Sequence, residues 1–189
     1  MVHGLKLKTT PMTKNMAVFC GSSLGMHPEY AREAKQLGYL LATRDINLVY
    51  GGGKAGLMGV IADSVLENGG KVIGVIPEFL NTRERKHENL TQQIEVQTMH
   101  QRKTIMYEMS DAAIILPGGF GTLDEFFEIV TWNQLTLHSK MVGLLNVENF
   151  YEHLYQHMLR IRDEAFAPTA QIEHLRMADT AEKLLALMV

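Results

Sequence analysis

Short, wholly apolar runs alternate along the chain with longer stretches in which apolar residues recur every three or four positions. The short runs are residues 16–20 (MAVFC), 47–50 (NLVY), 71–76 (KVIGVI), 112–116 (AAIIL) and 141–145 (MVGLL). They lack the alternation of a half-exposed sheet and suit strands covered on both faces. Between them, residues 29–43 carry Ala31, Ala34, Leu37, Leu40 and Leu41 at helical spacing, and residues 56–67 form a second helical stretch stopped by Gly69-Gly70. Residues 98–110, 122–138, 150–164 and 179–188 complete the helical set. Strand–helix–strand repetition with right-handed crossovers predicts one α/β domain with a doubly wound parallel sheet and helices on both faces. That domain is expected over residues 16–189, and residues 1–15 read as a flexible extension. Residues 78–97 are polar and charged, with only Ile94-Glu95-Val96 strand-like; a long connection after a strand's carboxyl end is where such folds keep binding residues.

Length and composition agree with this picture. A chain of 189 residues, 46% hydrophobic and 21% charged, is an ordinary globular domain. A net charge of −3 gives no electrostatic reason to expect nucleic acid as a partner. Cys20 stands alone, so neither an internal disulfide nor a cysteine-based zinc site is expected. No apolar run approaches the ~18 residues of a membrane span, and the first fifteen residues lack the apolar centre of a signal peptide. The expected setting is cytoplasmic, without membrane contact.

Three of the inferred strands run directly into glycine: Gly21 after the first, Gly51-Gly52-Gly53 after the second, and Pro117-Gly118-Gly119-Phe120-Gly121-Thr122 after the fourth. Glycine lets a ligand approach backbone N–H groups closely, and the helix that follows offers unpaired N–H groups and a positive dipole end to an anion. Each loop alone is equally a tight strand-to-helix turn; glycine-dense loops at one sheet edge point to a phosphate-bearing ligand, with Ser22, Gly52 and Gly53 among its contacts. Gly51, Gly53 and Gly56 also fit G-x-G-x-x-G, with Glu78 past the next strand as a ribose-binding acid. A dinucleotide reading leaves residues 117–122 unexplained and lacks a second half-fold for a nicotinamide. A nucleoside-triphosphate loop fails because Ala55 follows Lys54, where a metal-binding Ser or Thr is needed.

The charged residues near these loops have bland readings beside the functional ones. Thr122 and Glu125 match a capping box, with Thr122 as N-cap; the core face of that helix is expected at Leu123, Phe126, Phe127, Val130 and Leu137, leaving Glu125 off it. The carboxylate either caps the helix or faces a sugar whose phosphate the loop holds. Arg102 and Lys103 equally fit a solvated helix face, as does the run Arg83-Glu84-Arg85-Lys86. His100 has no acid or histidine partner spaced to join it as a metal ligand, so no metal is expected. Met12, Met58, Met99, Met106 and Met109 read as core filler.

The segments Pro117-Gly118-Gly119-Phe120-Gly121-Thr122-Leu123-Asp124-Glu125 and Gly51-Gly52-Gly53-Lys54-Ala55-Gly56-Leu57-Met58-Gly59 together resemble the LOG ("Lonely guy") family of cytokinin riboside 5′-monophosphate phosphoribohydrolases. The likeness extends over Cys20-Gly21-Ser22-Ser23, Val75-Ile76-Pro77, Met99-His100-Gln101-Arg102-Lys103, Thr131-Trp132 and Gly143-Leu144-Leu145-Asn146, roughly residues 16–165. Many such proteins carry an older label of lysine decarboxylase, for which this sequence offers no pyridoxal-phosphate lysine context. The resemblance implies a Rossmann-like hydrolase, usually a homodimer, that cuts the N-glycosidic bond of a nucleoside 5′-monophosphate to free base and ribose 5-phosphate without a cofactor. It implies phosphate binding by Gly118, Gly119, Gly121 and Thr122, and Arg102 with Glu125 as the catalytic pair. Glu84, Lys103, Thr131 and Asp124 fall on substrate-contact positions, with Asp124 one methylene shorter than the Glu more usual in plant relatives. In this reading Arg102 keeps Glu125 ionised, and the helix over residues 122–138, with Trp132, is the expected dimer face. A broader AMP nucleosidase and a non-catalytic nucleotide or phosphorylated-cofactor carrier use the same loops; a carrier needs no carboxylate aimed at C1′.

Overall fold

Each apolar run forms a strand because it can be buried on both faces without stranding a polar side chain. The computed structural model describes residues 14–82, 86–169, 172 and 174–188. Its strands are β1 (Lys14–Phe19), β2 (Ile46–Tyr50), β3 (Val72–Pro77), β4 (Gln92–Val96), β5 (Ala112–Ile115), β6 (Val142–Leu145) and β7 (Leu175–Ala178). They make a single sheet in the order β4-β3-β2-β1-β5-β6-β7, and every pairing is parallel. The helices among the described residues are α1 (Pro28–Thr43), α2 (Gly56–Glu67), α3 (Met99–Met109), α4 (Phe120–Gln134), α5 (Glu152–Asp163) and α6 (Ala181–Met188).

Alternate strand residues feed two separate cores. Met16, Val18, Leu48, Tyr50 and Ile114 pack with Leu37 and Leu41 of α1, Ile61 and Val65 of α2, and Leu184 of α6. Ala17, Phe19, Val49, Val75 and Ile115 pack on the opposite face with Met106 and Tyr107 of α3, Phe126 and Ile129 of α4, and Met158 of α5. The sheet is doubly wound, as expected. Winding reverses at β1, which lies between β2 and β5, so the switch point where such sheets bind ligands falls over the loops after these strands.

Several boundaries and elements differ from the sequence expectation. β1 begins at Lys14, which pairs with Ile46, so Lys14 and Asn15 belong to the sheet rather than to an extension; the rest of that segment lies outside the described residues. β4 is a full strand and β7 was not anticipated. Both are edge strands, and in β4 only Val96 is buried, so neither carries the apolar run that marks a central strand. Strands on both sides of β1 also remove the missing half-fold as an objection to a dinucleotide. The objection now comes from the β2 loop: Gly53 bridges to Lys86, and Gly52 accepts the His87 N–H at 3.0 Å, so chain covers the loop.

The loops after β1 and β2 are interlocked. Gly56 has φ +60, and a Cβ there would collide with the Ser22–Ser23 backbone. Leu57 N–H donates to the Gly21 carbonyl at 3.1 Å. The sequence GGGKAG is therefore read first by packing between two loops, and only what faces outward is left for a ligand.

Candidate active site

α4 starts two residues earlier than expected. Its N-cap is Gly119, no side chain caps it, and Thr122 lies inside its first turn, so the expected capping box is not formed there. The box occurs instead on α3, where the Thr98 hydroxyl accepts the Gln101 N–H at 3.1 Å. α4 docks on the sheet through Thr122, Glu125, Phe126 and Ile129. Phe127 and Leu137, expected in the core, are 42% and 65% exposed. Glu125 is thereby turned under the helix, towards the sheet.

There it meets Arg102 from α3. Nη1 of Arg102 donates to Oε1 of Glu125 at 3.0 Å, and Nε donates to the Val75 carbonyl at the end of β3, also at 3.0 Å. Both side chains are about nine-tenths buried, so the solvated-face reading of Arg102 is overturned. Burial raises the Glu125 carboxyl to about 7; the Arg102 guanidinium pulls it down, and Asp124 pushes it up. The expectation that Arg102 simply keeps Glu125 ionised needs correction: desolvation outweighs the ion pair, and the carboxyl is poised to exchange a proton near neutrality. Cys20, at the floor beside the pair, is pushed well above the usual thiol range, chiefly by burial, and is inert as a nucleophile.

Lys103 bridges two carboxylates of α4, Asp124 at 3.0 Å and Glu128 at 2.8 Å. Burial lowers its ammonium pKa, but the bonds to Glu128 and Asp124 outweigh that and leave it raised. Tyr107 donates its hydroxyl to the Glu125 carbonyl at 2.8 Å and packs edge-on against Trp132. Trp132 is thus turned inward. Thr131 is exposed two turns along α4, on the Asp124 side of the helix rather than beside Glu125. Glu84 lies outside the described residues. Sequence reasoning missed Tyr107, Glu128 and the Val75 carbonyl; the i, i+4 carboxylates Asp124 and Glu128, matched to a lysine, were the available signal.

The glycines of the β5–α4 loop divide by role. A Cβ on Gly118 would run into Thr122 and lie 2.9 Å from the Gly21 N, so packing requires that glycine. At Gly119 and Gly121 a Cβ would meet nothing, and the space above the uncapped α4 N-terminus is open. Two clefts open over the loops after β1, β2 and β5, and the larger reaches Arg102. One of about 470 Å³ is lined by Ser22, Gly51, Gly53, Ala55, Met58, Ile76, Leu80 and Arg102. The other, about 290 Å³, lies between the β1 loop and Pro117, Gly118 and Gly119. Met58 packs against the core and also faces a cleft, whereas Met99 is 37% exposed and is not core filler. Among the described residues no group of three or more His, Cys, Asp or Glu is arranged to hold a metal, and no helix is long and apolar enough to cross a membrane.

A Rossmann-like sheet with a buried carboxylate–guanidinium pair beside an uncapped helix N-terminus defines a class: an α/β protein arranged to hold an anion at its switch point and do proton chemistry next to it. Comparison with known proteins narrows the class. The family described as "Possible lysine decarboxylase" matches residues 58–188. Cytokinin riboside 5′-monophosphate phosphoribohydrolase LOG2 of Arabidopsis thaliana is 44% identical over 181 residues, 96% of this chain and 85% of the relative. LOG1 of the same plant, with the same enzyme name, is 49% identical over 159 residues, 84% of this chain and 75% of the relative. The chain belongs to this LOG family. Among solved structures, the molybdenum cofactor binding protein of Rippkaea orientalis superposes with TM-score 0.72 at 22% identity, over 94% of this chain and 96% of that one. The molybdenum cofactor carrier protein of Chlamydomonas reinhardtii gives 0.70 at 18%, over 93% and 95%. At those identities the likeness is one of fold.

Proposed function

We propose that the protein hydrolyses the N-glycosidic bond of adenosine 5′-monophosphates carrying an N6 substituent, of the cytokinin type, releasing free base and ribose 5-phosphate. The observation that carries this reading is the buried 3.0 Å Arg102–Glu125 pair beside the open N-terminus of α4. The names and extent of the matching relatives support it. The 5′-phosphate is held by the N–H groups around Gly119, Gly121 and Thr122, with Gly118 keeping the loop closed against β1. Its binding energy is used to orient C1′, which favours nucleotides over nucleosides.

The transition state resembles an oxocarbenium ion, as in glycoside hydrolysis. Ionised Glu125 stabilises that charge and orients a water. The water oxygen bonds to C1′, the C1′–N pair leaves with the base, and the water proton passes through Glu125 to the departing nitrogen. Arg102 fixes the direction of the carboxylate. Lys103, Asp124, Glu84 and Thr131 are proposed substrate contacts from the family resemblance. Gly53 borders the 470 Å³ cleft and is assigned to the base side, Ser22 borders both that cleft and the one beside Gly118 and Gly119, and Gly52 lines neither.

Strand order supports the direction of the substrate. β5, β1, β2 and β3 are neighbours, about 4.8 Å apart, so the β5 loop and the end of β3 are separated by roughly 14 Å, close to the length of an extended nucleotide. With phosphate over β5 and ribose beneath Glu125, the base enters the 470 Å³ cleft among Ala55, Met58, Ile76 and Leu80, which is apolar and larger than a bare purine fills. Measured side by side, kcat/KM is expected to fall in the order N6-isopentenyl-AMP, AMP, adenosine. Equal values for AMP and adenosine would contradict phosphate anchoring, and AMP outrunning its substituted form would favour a general nucleosidase.

We further propose a homodimer through the outer face of α4 and the turn beyond it, where Phe127, Leu135 and Leu137 are exposed. Trp132, expected in that face, is packed against Tyr107 instead. Sedimentation equilibrium is expected to give twice the 21.3 kDa chain mass; the single-chain mass contradicts the dimer.

A further inference from the structure

Gly51 directly follows β2, one residue before the Gly52 turn. Among the glycines of that loop its requirement is unusual. Gly52 and Gly56 have φ +74 and +60, a conformation that favours glycine whatever surrounds them. Gly51 does not, so its backbone would accept any residue. What a Cβ there would meet is Arg102: it would overlap Nη2 and lie 3.0 Å from Cζ, with Met58 Sδ at an ordinary 3.5 Å. The guanidinium is therefore seated in the space that a side chain at residue 51 would occupy. Its other nitrogens are committed, Nε to the Val75 carbonyl and Nη1 to Glu125.

We infer that Gly51 is a positioning residue for the reaction: with the Val75 carbonyl it forms a slot, floored by the ends of β2 and β3, that admits the flat guanidinium of Arg102 and sets the angle at which it meets Glu125. The inference rests on the hydrolase reading for its kinetic consequence, though not for its geometry. Arginine suits such a slot because its planar fork can satisfy a carbonyl and a carboxylate at once while its third nitrogen lies flat against backbone; lysine has one donor point and no plane. The clash reaches only the free end of a flexible side chain, so the fold tolerates a methyl group at residue 51 while the pair does not.

The test is Gly51→Ala, with Arg102→Lys and the double variant. Gly51→Ala is expected to fold, with a melting temperature below that of the wild type, because displacing the guanidinium weakens the buried pair and the restricted unfolded chain offsets only part of that loss. Its kcat is expected to fall about 10²-fold with KM little changed, the scale of a misplaced catalytic group. Because the guanidinium is moved from Glu125, the carboxyl titration, followed by NMR of ¹³C-labelled glutamate, should shift to higher pH. Arg102→Lys should cost activity in the wild-type background and little more in Gly51→Ala, since both damage the same contact. Unchanged kcat, an unmoved Glu125 titration, additive losses, or failure of Gly51→Ala to fold each overturn the slot. If the wild-type protein releases no base, the hydrolase reading fails, while the carboxyl titration still decides the slot.

Discussion

Replacing Glu125 by glutamine is expected to lower turnover by roughly 10²–10⁴-fold, the range for removing a positioned acid or base, while nucleotide binding persists. The amide keeps the size of the side chain and can still meet Arg102, but it can neither carry the negative charge needed at C1′ nor take a proton from water. Steady-state kinetics combined with calorimetric titration separate the two effects, and near-wild-type release of base would remove Glu125 from the chemistry. The wild-type pH profile reports the same group. With the carboxyl raised to about 7 by burial, kcat/KM is expected to rise as pH passes upward through about 7 and then level off, because the ionised form is the working one. The same shift has the opposite sign for stability. A folded-state value above the ordinary 4.5 of a glutamate carboxyl means the native protein holds this proton more tightly than the unfolded chain. Glu125 therefore costs stability progressively from about pH 4.5 to about pH 7, fully above that and not at all below. That cost is the thermodynamic counterpart of keeping a carboxylate ready in a dry site.

Arg102→Ala is expected to be nearly as severe, and far worse than Lys103→Ala. Removing one partner of a buried ion pair leaves the other uncompensated, typically by 3–5 kcal/mol, which corresponds to roughly 10²–10³-fold or more if it falls on the reaction. Glu125 responds by keeping its proton, so the rising limb of the pH profile should move above about 7, and residual activity should be recovered in part at alkaline pH. Lys103 presents a different case. Its partner Asp124 has a side chain 63% exposed, and exposed pairs contribute about 0–1 kcal/mol. Glu128 is better buried, so a moderate loss is expected, with a smaller upward shift of the profile than for Arg102→Ala, since Lys103 also pulls the Glu125 carboxyl down. Equal and mild effects of the two substitutions would contradict the account.

The central sheet was legible in the sequence because β1, β2, β3, β5 and β6 are apolar on both faces, and no other element tolerates that pattern. β4 and β7 were not, because edge strands bury less and QQIEV and LRMA carry polar residues at alternate or adjacent positions. The pair itself could be named only through the family resemblance. Periodicity pointed the wrong way: it set Phe127 and Leu137 in the core and Glu125 beside it. The face that α4 docks on the sheet runs through Thr122, Glu125, Phe126 and Ile129, with Phe127 on its outer side, and Leu137 lies beyond the helix. Thr122 and Glu125 satisfy the capping-box pattern in sequence, but Gly119 takes the N-cap, because the glycine loop can turn directly into helix without a side-chain cap. That leaves its N–H groups to a ligand. The site joins Glu125 of α4 to Arg102 of α3 and, through it, to the Val75 carbonyl of β3, and no local sequence window contains that arrangement.

Chromatography of the products formed from N6-isopentenyl-AMP by the wild-type protein and by Glu125→Gln tests the whole arrangement most directly. The account predicts equimolar free base and ribose 5-phosphate from the wild type and a small fraction of either from the variant. Intact nucleotide after incubation with the wild type, or base released equally by both proteins, would contradict it.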